Sequence, residues 1–288
     1  MDLSLLLQGI VSGVLASGLY ALVSVGLALA IGVIGIINFA HGEFFMIGAF
    51  LAYQLFVSFG ADPVLSLFFV APGLFLIGAV IYRSSIQYVL KAPELNQMLL
   101  TFGIGIILQN LALVIWGGDP VSISNVPYRS VGWQIAGVSV GAVPLFSFLI
   151  SLVIVGGLYY VLLRTRLGRA MRAVAQNRTG ASLVGLEVNR IYLIAFALSA
   201  ALAGLGGVMI AVIQSPTPTV GFAFTLKAFA IVVLAGLGNI RGIVWASLAV
   251  ALSESLVATL VPDGDVLRNA VFFAIIFIVL IARSRRVA

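Results

Sequence analysis

Charged residues punctuate this chain at long intervals. None occurs between Asp2 and Glu43, between Glu43 and Asp62, or between Asp62 and Arg83. Further gaps run from Glu94 to Asp119, Arg129 to Arg164, Arg190 to Lys227 and Arg268 to Arg283, and the stretch from Arg241 to Asp263 carries only Glu254. The intervening runs are long and continuously apolar, without the short alternation of barrel strands, so the pattern predicts membrane-crossing helices. At roughly 20 apolar residues per crossing, spans fall near 6–30, 43–59, 63–82, 96–116, 143–163, 190–213, 243–261 and 267–283. Two pieces fit badly. Residues 6–37 are too long for one untilted helix, and 225–238 are too short for a full span. The expectation is an all-α polytopic membrane protein, a single domain over 1–288, with about eight full spans plus one or two half-helices or re-entrant segments. The first apolar stretch follows an acidic Asp2, has no basic leader and is expected to be retained.

Composition agrees with this class. Of 288 residues, 62% are hydrophobic and 8% charged, against about 25% charged in an ordinary soluble domain. A soluble globule, a disordered chain and a disulfide scaffold are all excluded. There is no Cys and a single His, so thiol chemistry is impossible and neither a protein-ligated metal nor another cofactor is expected.

Lys and Arg orient the spans, because short cytoplasmic loops are enriched in them. The richest block is Arg164, Arg166, Arg169, Arg172, Arg178 and Arg190; another is the tail Arg283, Arg285, Arg286. With both placed inside, alternation puts Arg83, Lys91 and Arg241 inside too, and leaves Arg129, Lys227 and Arg268 outside or near the outer face. The C-terminus is then cytoplasmic. The net charge of +6 is thus a matter of topology, and no nucleic-acid partner is implied.

Two connections stand out. The outer loop, 117–142, holds Pro120, Pro127, Tyr128 and Trp133, and its alternating QIAGVSV predicts a short hairpin. It is either a docking surface for an external partner or a plain loop with interfacial aromatics. The inner loop, 164–190, contains RLGRAMRAVAQN, which predicts a short helix with Arg166, Arg169 and Arg172 spaced by three, broken by Gly180. Leu167, Met171, Val174, Leu183 and Leu186 are mixed among its charges, a pattern suited to packing on a protein partner or lying at the headgroups.

The 31 glycines point to close helix packing, and Gly9 and Gly13 have GxxxG spacing. Two segments combine a Gly-interrupted apolar run with a polar break: GVIGIINFAHGEFFMIGAF at 32–50 and LAGLGNIRGIVWAS at 234–247. Paired breaks of this kind point to a substrate pathway in transporters.

The only lysines, Lys91 and Lys227, each follow a Leu, and no GxxxxGK[ST] loop exists. No GxSxG or HExxH motif is present either. The chain is therefore not expected to be an enzyme. Polar residues inside apolar segments are the functional candidates: Asn38, His41, Glu43, Gln109, Asn110, Gln214 and Glu254. Glu43 either faces a cavity with His41 at the helix break or stabilises the following helix N-terminus through its dipole. For Glu254 an ion pair or interhelical hydrogen bond is favoured over solute contact. A cavity of this kind suits a small polar or zwitterionic solute, whose carboxylate half-helix N-termini attract.

The segment GLYALVSVGLALAIGVIGIINFAHGEFFMIGAF closely resembles the N-terminal signature of branched-chain amino acid ABC importer permeases of the LivH type. The inner loop LGRAMRAVAQNRTGASLVGLEVNRI, the following AFALSAALAGLGGVM and the later LAGLGNIRGIVWAS also resemble that family. The first signature is the more specific; the others are shared with the sister LivM-type subunit and with sugar-importer permeases. The resemblance implies half of a pathway for branched-chain or other amino acids in a bacterial or archaeal plasma membrane. It implies a second, LivM-like permease, two cytoplasmic ATPases that power alternating access, an extracellular or periplasmic solute-binding protein, and surrounding lipid. It places Arg166, Arg169, Arg172, Asn177, Gly185 and Glu187 at or near the ATPase contact. It leaves the solute open, because the same class serves urea and amide importers. An ion-coupled secondary transporter is the other reading. Members of the family that the chain resembles often carry Pro where this chain has Arg241 in NIRG, so the resemblance leaves the role of that arginine open.

Overall fold

The computed structural model describes residues 3–261 apart from 124, 125, 136 and 237, together with positions 264, 267, 270, 272–274 and 277. The expected span near 267–283, taken as a whole, and the basic tail lie outside the described residues.

The described chain is helical apart from one hairpin. Its elements are α1 (Leu3–Ile34), α2 (His41–Phe59), α3 (Pro63–Val89), α4 (Glu94–Trp116), strands β1 (Gly132–Ile135) and β2 (Val138–Gly141), and α5 (Ala142–Arg164). Then come α6 (Arg166–Gln176), α7 (Arg178–Leu183), α8 (Val188–Ile213), α9 (Val220–Ala235) and α10 (Ile240–Leu260). Among the described residues seven helices are long and apolar enough to cross a membrane, and the 16-residue α9 is the short extra piece. The expected spans from 6–30 to 243–261 and the short piece near 225–238 each coincide with one of these helices.

The long first run is a single unbroken helix. At 1.5 Å per residue its 32 residues extend about 48 Å, well beyond a hydrocarbon core of about 30 Å. The excess reaches the loop layer: Gln8 donates to the Ser139 carbonyl at 3.1 Å and accepts from the Ser139 N–H at 2.8 Å. These bonds fix β2 of the hairpin on the start of α1. The strands pair antiparallel, Trp133 opposite Val140. At the same end Tyr128 donates to Asp62 at 3.1 Å, and Val121 N–H donates to Pro216 at 3.1 Å. Burial, then the Asp62 carboxylate, pushes the Tyr128 hydroxyl above its ordinary value, so it stays a neutral donor.

The opposite end gathers the basic segments. Asn189 accepts from the Tyr82 hydroxyl at 2.6 Å and donates to Gln87 at 3.3 Å. These bonds tie a five-residue π-turn in α3, Tyr82–Ile86, to the start of α8. Helix α6 packs across the end of α5. Thr165 caps it by accepting from Gly168 N–H at 3.1 Å, and a side chain at 168 would overlap the Val161 and Leu162 carbonyls.

Helices α1 and α8 form the centre, with 72% and 83% of their apolar windows buried, whereas α3, α4 and α5 stand at 22–28% and present Phe68, Ile107 and Val153 outward. Lipid supplies no hydrophobic drive between helices, so close approach of small residues must hold the centre. Gly9 and Gly13 face Leu256 and Leu252 of α10, Gly48 faces the backbone of Gly204, and Gly207 lies against the Phe45 carbonyl. The expected GxxxG contact is thus internal, between α1 and α10.

A methyl group added at Gly42 or Gly207 would overlap a backbone carbonyl, of Gly221 and Phe45 respectively. Gly73 and Gly156 have nothing within 4 Å. Gly42→Ala and Gly207→Ala are expected to cost more than the roughly 1–3 kcal/mol of ordinary overpacking, because backbone cannot move aside. Gly73→Ala and Gly156→Ala are expected to be neutral or to gain up to about 1 kcal/mol. Thermal unfolding of the purified variants in one detergent checks the ordering; equal midpoints across the four would contradict it.

Candidate functional site

The first predicted break becomes a return loop inside the bundle. Gly35, at φ 81°, ends α1 in the left-handed conformation that glycine adopts without a Cβ penalty. The chain then runs back along α1 without helical bonds until His41 lies level with Val23, about 16 Å short of the end of α1 at 1.5 Å per residue. Irregular backbone at that depth must be paired within the protein. Asn38 Oδ1 accepts from Ala40 N–H at 3.0 Å, Thr101 accepts from Phe39 N–H and donates to the Ile37 carbonyl, both at 3.2 Å, and Thr225 accepts from Gly42 N–H at 2.8 Å.

His41 is wholly buried. Its Nε2 lies 2.9 Å from the Val23 carbonyl and its Nδ1 3.4 Å from the Ser199 hydroxyl. A carbonyl only accepts, so Nε2 carries the proton and Ser199 donates to Nδ1. Both ring nitrogens are therefore engaged. Asn38 is likewise buried and turned onto its own backbone. The loop brings Asn38, His41 and Glu43 together, but the first two are struts and line neither cavity described next.

Glu43 does face a cavity. It is buried, and its Oε2 has no hydrogen-bond partner among the described residues. The side chain occupies the space left by Gly221, whose added Cβ would come within 2.5 Å of Oε2. Together with Gln109, Phe39, Phe102 and Phe222 it lines a cavity of ≈ 330 Å³ between α2, α4 and the start of α9. Glu43 also sits in the first turn of α2, where the dipole favours a carboxylate; the cavity it faces is one that His41 does not share.

Gln214 and Glu254 share a different cavity, of ≈ 390 Å³, under the hairpin, with Gln8, Ser12, Tyr20 and Ser147. Glu254 Oε2 accepts from Lys227 Nζ at 2.9 Å and from the Tyr20 hydroxyl at 2.6 Å, and Lys227 also donates to Tyr20 at 2.9 Å. The ammonium lies 5.0 Å from the Tyr20 ring centroid. The expectation of an ion pair at Glu254 is met, with its Oε1 left without a partner among the described residues. Lys227, expected outside or near the outer face, lies in the half toward the hairpin with its side chain turned into the bundle and only 13% exposed. Tyr20, Thr101, Thr225 and Lys227 were absent from the sequence candidates. For Lys227 a signal existed: a lone cation in a long apolar stretch requires a buried partner.

The basic loop folds as α6 and α7. Arg166, Arg169, Arg172, Asn177, Gly185 and Glu187 are all exposed. Two expectations are corrected. Gly180 does not break the helix: it lies within α7, and the break falls at Asn177, which is extended and caps α7 by accepting from Gly180 N–H at 2.8 Å. The apolar stripe of α6 is not free for a partner either, because Met171 and Val174 are buried against the bundle. The apolar groups that do face outward are Leu183 and Val184, at 82% and 78% exposure, beside Gly185 at φ 85°.

Comparison with known proteins gives one consistent family. The family model described as "Branched-chain amino acid transport system / permease component" matches residues 9–280. The high-affinity branched-chain amino acid transport system permease protein BraD of Pseudomonas aeruginosa is 31% identical over 289 residues, covering 96% of this chain and 94% of the relative. The LivH permease protein of Salmonella typhimurium is 30% identical over 294 residues, covering 96% and 92%. The LivM permease protein of Escherichia coli is 30% identical over 269 residues, covering 83% and 61%. No solved structure matches.

Removing one member of a buried ion pair leaves the other charge unpaired, at a cost of roughly 3–5 kcal/mol. Lys227→Met and Glu254→Gln are each expected to lower stability strongly, and the double variant Lys227→Met/Glu254→Gln to lose much less than the sum of the two single losses. A double-mutant cycle on thermal stability in detergent checks this; additive losses would show that the contact carries no coupling.

Proposed function

This chain belongs to the permease family of branched-chain amino acid transport systems, and from that membership we propose that it forms one half of an importer's membrane pathway. The other half is a second permease of the LivM kind. Two cytoplasmic ATPases supply the energy, and a solute-binding protein outside delivers leucine, isoleucine or valine. The protein is a multi-pass membrane protein of the plasma membrane, with the α6–α7 face in the cytoplasm and the hairpin face outside.

The observation that carries this reading is the separation of two chemistries at the two ends of the bundle. Buried carboxylates, with Gln109, Gln214 and hydroxyls beside them, line the cavities toward the hairpin end. Exposed arginines stand at the other end, around a protruding Leu183–Val184 tip. A zwitterionic amino acid needs an acceptor for its ammonium and donors for its carboxylate. In the cavity beside α4 Glu43 is the acceptor and Gln109 the donor, and Glu254 and Gln214 offer the same pair in the second cavity. The aliphatic side chain would meet Phe39, Phe102 and Phe222. His41 and Asn38 hold Glu43 in place from behind. At the basic end Arg166, Arg169 and Arg172 line one outer face with Asn177, Gly185 and Glu187 beside them, which suits an acidic groove on an ATPase.

Reconstitution tests the proposal. Proteoliposomes holding both permeases and both ATPases, supplied with the binding protein, are expected to take up branched-chain amino acids only with internal ATP. Glu43→Gln is expected to reduce that uptake ten- to a hundredfold while the complex still assembles, since a hydrogen bond to a charged group is worth roughly 1.5–3 kcal/mol. Ion-gradient-driven uptake by this chain alone would overturn the reading. Arg169→Glu/Arg172→Glu is expected to abolish co-purification of the ATPases from a chain whose thermal midpoint is unchanged; normal co-purification would remove these arginines from the contact.

A further inference from the structure

A third cavity, of ≈ 480 Å³, opens at the basic end between the ends of α1 and α5, the helix α6 and the start of α10. The two predicted breaks meet here: an added Cβ on Gly32 would lie 3.9 Å from the Gly238 backbone. The cavity's polar groups come from Arg172, Gln176, Asn239 and Arg241, and its walls include Leu162 and Leu163. No Asp or Glu lines it. Among the described residues the one ion pair is Lys227–Glu254, so neither arginine is neutralised by a carboxylate.

Arg241 is the more telling of the two. It stands in the first turn of α10, where the helix dipole already presents positive charge and a cation is unfavourable. The chain nevertheless holds it there. Its Nε donates to the Tyr159 hydroxyl at 2.6 Å, and its guanidinium lies 5.5 Å from the centre of that ring. One edge of the fork is thereby fixed, and its terminal nitrogens make no hydrogen bond among the described residues. A planar guanidinium held this way is preorganised for a tetrahedral anion. The arginines, unmatched by a carboxylate, and the helix N-terminus favour the same ligand, while Asn239 serves as the helix cap, accepting from Gly242 N–H at 3.0 Å and donating to the Ala235 carbonyl at 3.3 Å.

The depth of the cavity identifies the source of that anion. Helix α5 ends at Arg164 and α10 begins at Ile240, so the polar lining lies at helix ends, where the headgroups are. Exposed Tyr160 and Trp245 lie on the same turns, as interfacial aromatics do. Leu162, Leu163 and Val33 continue the cavity as an apolar slot. A phosphate beside arginines with hydrocarbon beneath it is the chemistry of a phospholipid.

We propose that this cavity is a binding site for an anionic phospholipid of the cytoplasmic leaflet, its phosphate held by Arg241 and Arg172 and its acyl chains lying against Leu162 and Leu163. The site lies between the end of α1 and the helix α6, so an occupied cavity braces α6 against the bundle. Arg241, anchored on the Tyr159 hydroxyl, is the residue on which phosphate binding depends.

Native mass spectrometry of the assembled importer, released from nanodiscs of equal phosphatidylglycerol and phosphatidylcholine, tests the site. The wild-type complex is expected to retain phosphatidylglycerol preferentially. Arg241→Gln is expected to weaken that retention about fivefold, the contribution of one basic group near an anionic surface. Tyr159→Phe keeps every charge but frees the guanidinium, and is expected to weaken retention as well; it covers the case in which Arg241→Gln fails to assemble. Arg178→Gln, at the same end but outside the cavity, is expected to change nothing. Equal retention of the two lipids, or unchanged phosphatidylglycerol retention in both cavity variants, would overturn the proposal. Displacement of the lipid by millimolar inorganic phosphate would overturn the lipid assignment and make the site one for free phosphate.

Discussion

At the start of α2 the backbone of Gly42 lies against the Gly221 carbonyl so closely that a methyl group cannot fit, and the Gly42 N–H is bonded to Thr225. Most of the interior depends on this contact. A membrane helix that begins at mid-depth exposes its first N–H groups, and lipid offers them no partner. The chain tolerates such a start only because α9 supplies a hydroxyl and a bare backbone at the place where α2 begins. The same approach leaves room at Gly221 for the Glu43 side chain. One packing solution therefore both allows the interrupted helix and brings a buried carboxylate to a cavity wall. Gly48 on Gly204 and Gly207 on Phe45 extend the contact to the central α8.

The scarce charge is divided by depth and by sign. Most of the basic residues lie at one end, exposed on α6, α7 and the nearby loops. Two acidic groups, Glu43 and Glu254, are buried in the half toward the hairpin, and only Glu254 meets a cation there. Tyr20 completes that pair by accepting from Lys227 and donating to Glu254. The arrangement keeps the ammonium satisfied and leaves one oxygen of the glutamate toward the cavity. Buried acids and exposed arginines thereby stand toward opposite ends of the same helices, with α1 spanning both: Gln8 reaches the hairpin and Gly32 reaches the cavity beneath Arg241.

Much of this was legible in the sequence because membrane helices declare themselves through charge gaps. The seven spans from 6–30 to 243–261, the hairpin in QIAGVSV and the helix over RLGRAMRAVAQN appear where the pattern put them. What was not legible depends on long-range pairing. Apolar residues surround the break at 35–41 on both sides, so nothing in composition says that the chain turns back into the bundle. Lys227 and Glu254 lie on different helices joined by a tight turn, and helical spacing within one segment cannot pair them. Gly180 looked like a helix breaker, but the hydrogen-bonding side chain of Asn177 stops α6 first and starts α7. Met171 and Val174 looked available to a partner, yet α6, seated closely on α5 at Gly168, buries them against the bundle. Of the proposed pathway residues, Glu43, Gln109, Gln214 and Glu254 line cavities, while His41 and Asn38 serve the loop that holds them.

The native chain contains no cysteine, which makes the central claim directly measurable. A cavity toward the hairpin face that opens and closes with ATP should change its exposure to that face during the cycle. With Gln109→Cys or Gln214→Cys as the sole cysteine in the assembled importer, reaction with a membrane-impermeant thiol reagent from the hairpin side should be fast in one nucleotide state and slow in the other, the states being nucleotide-free and vanadate-trapped. A labelling rate at both positions that is indifferent to nucleotide would contradict the account.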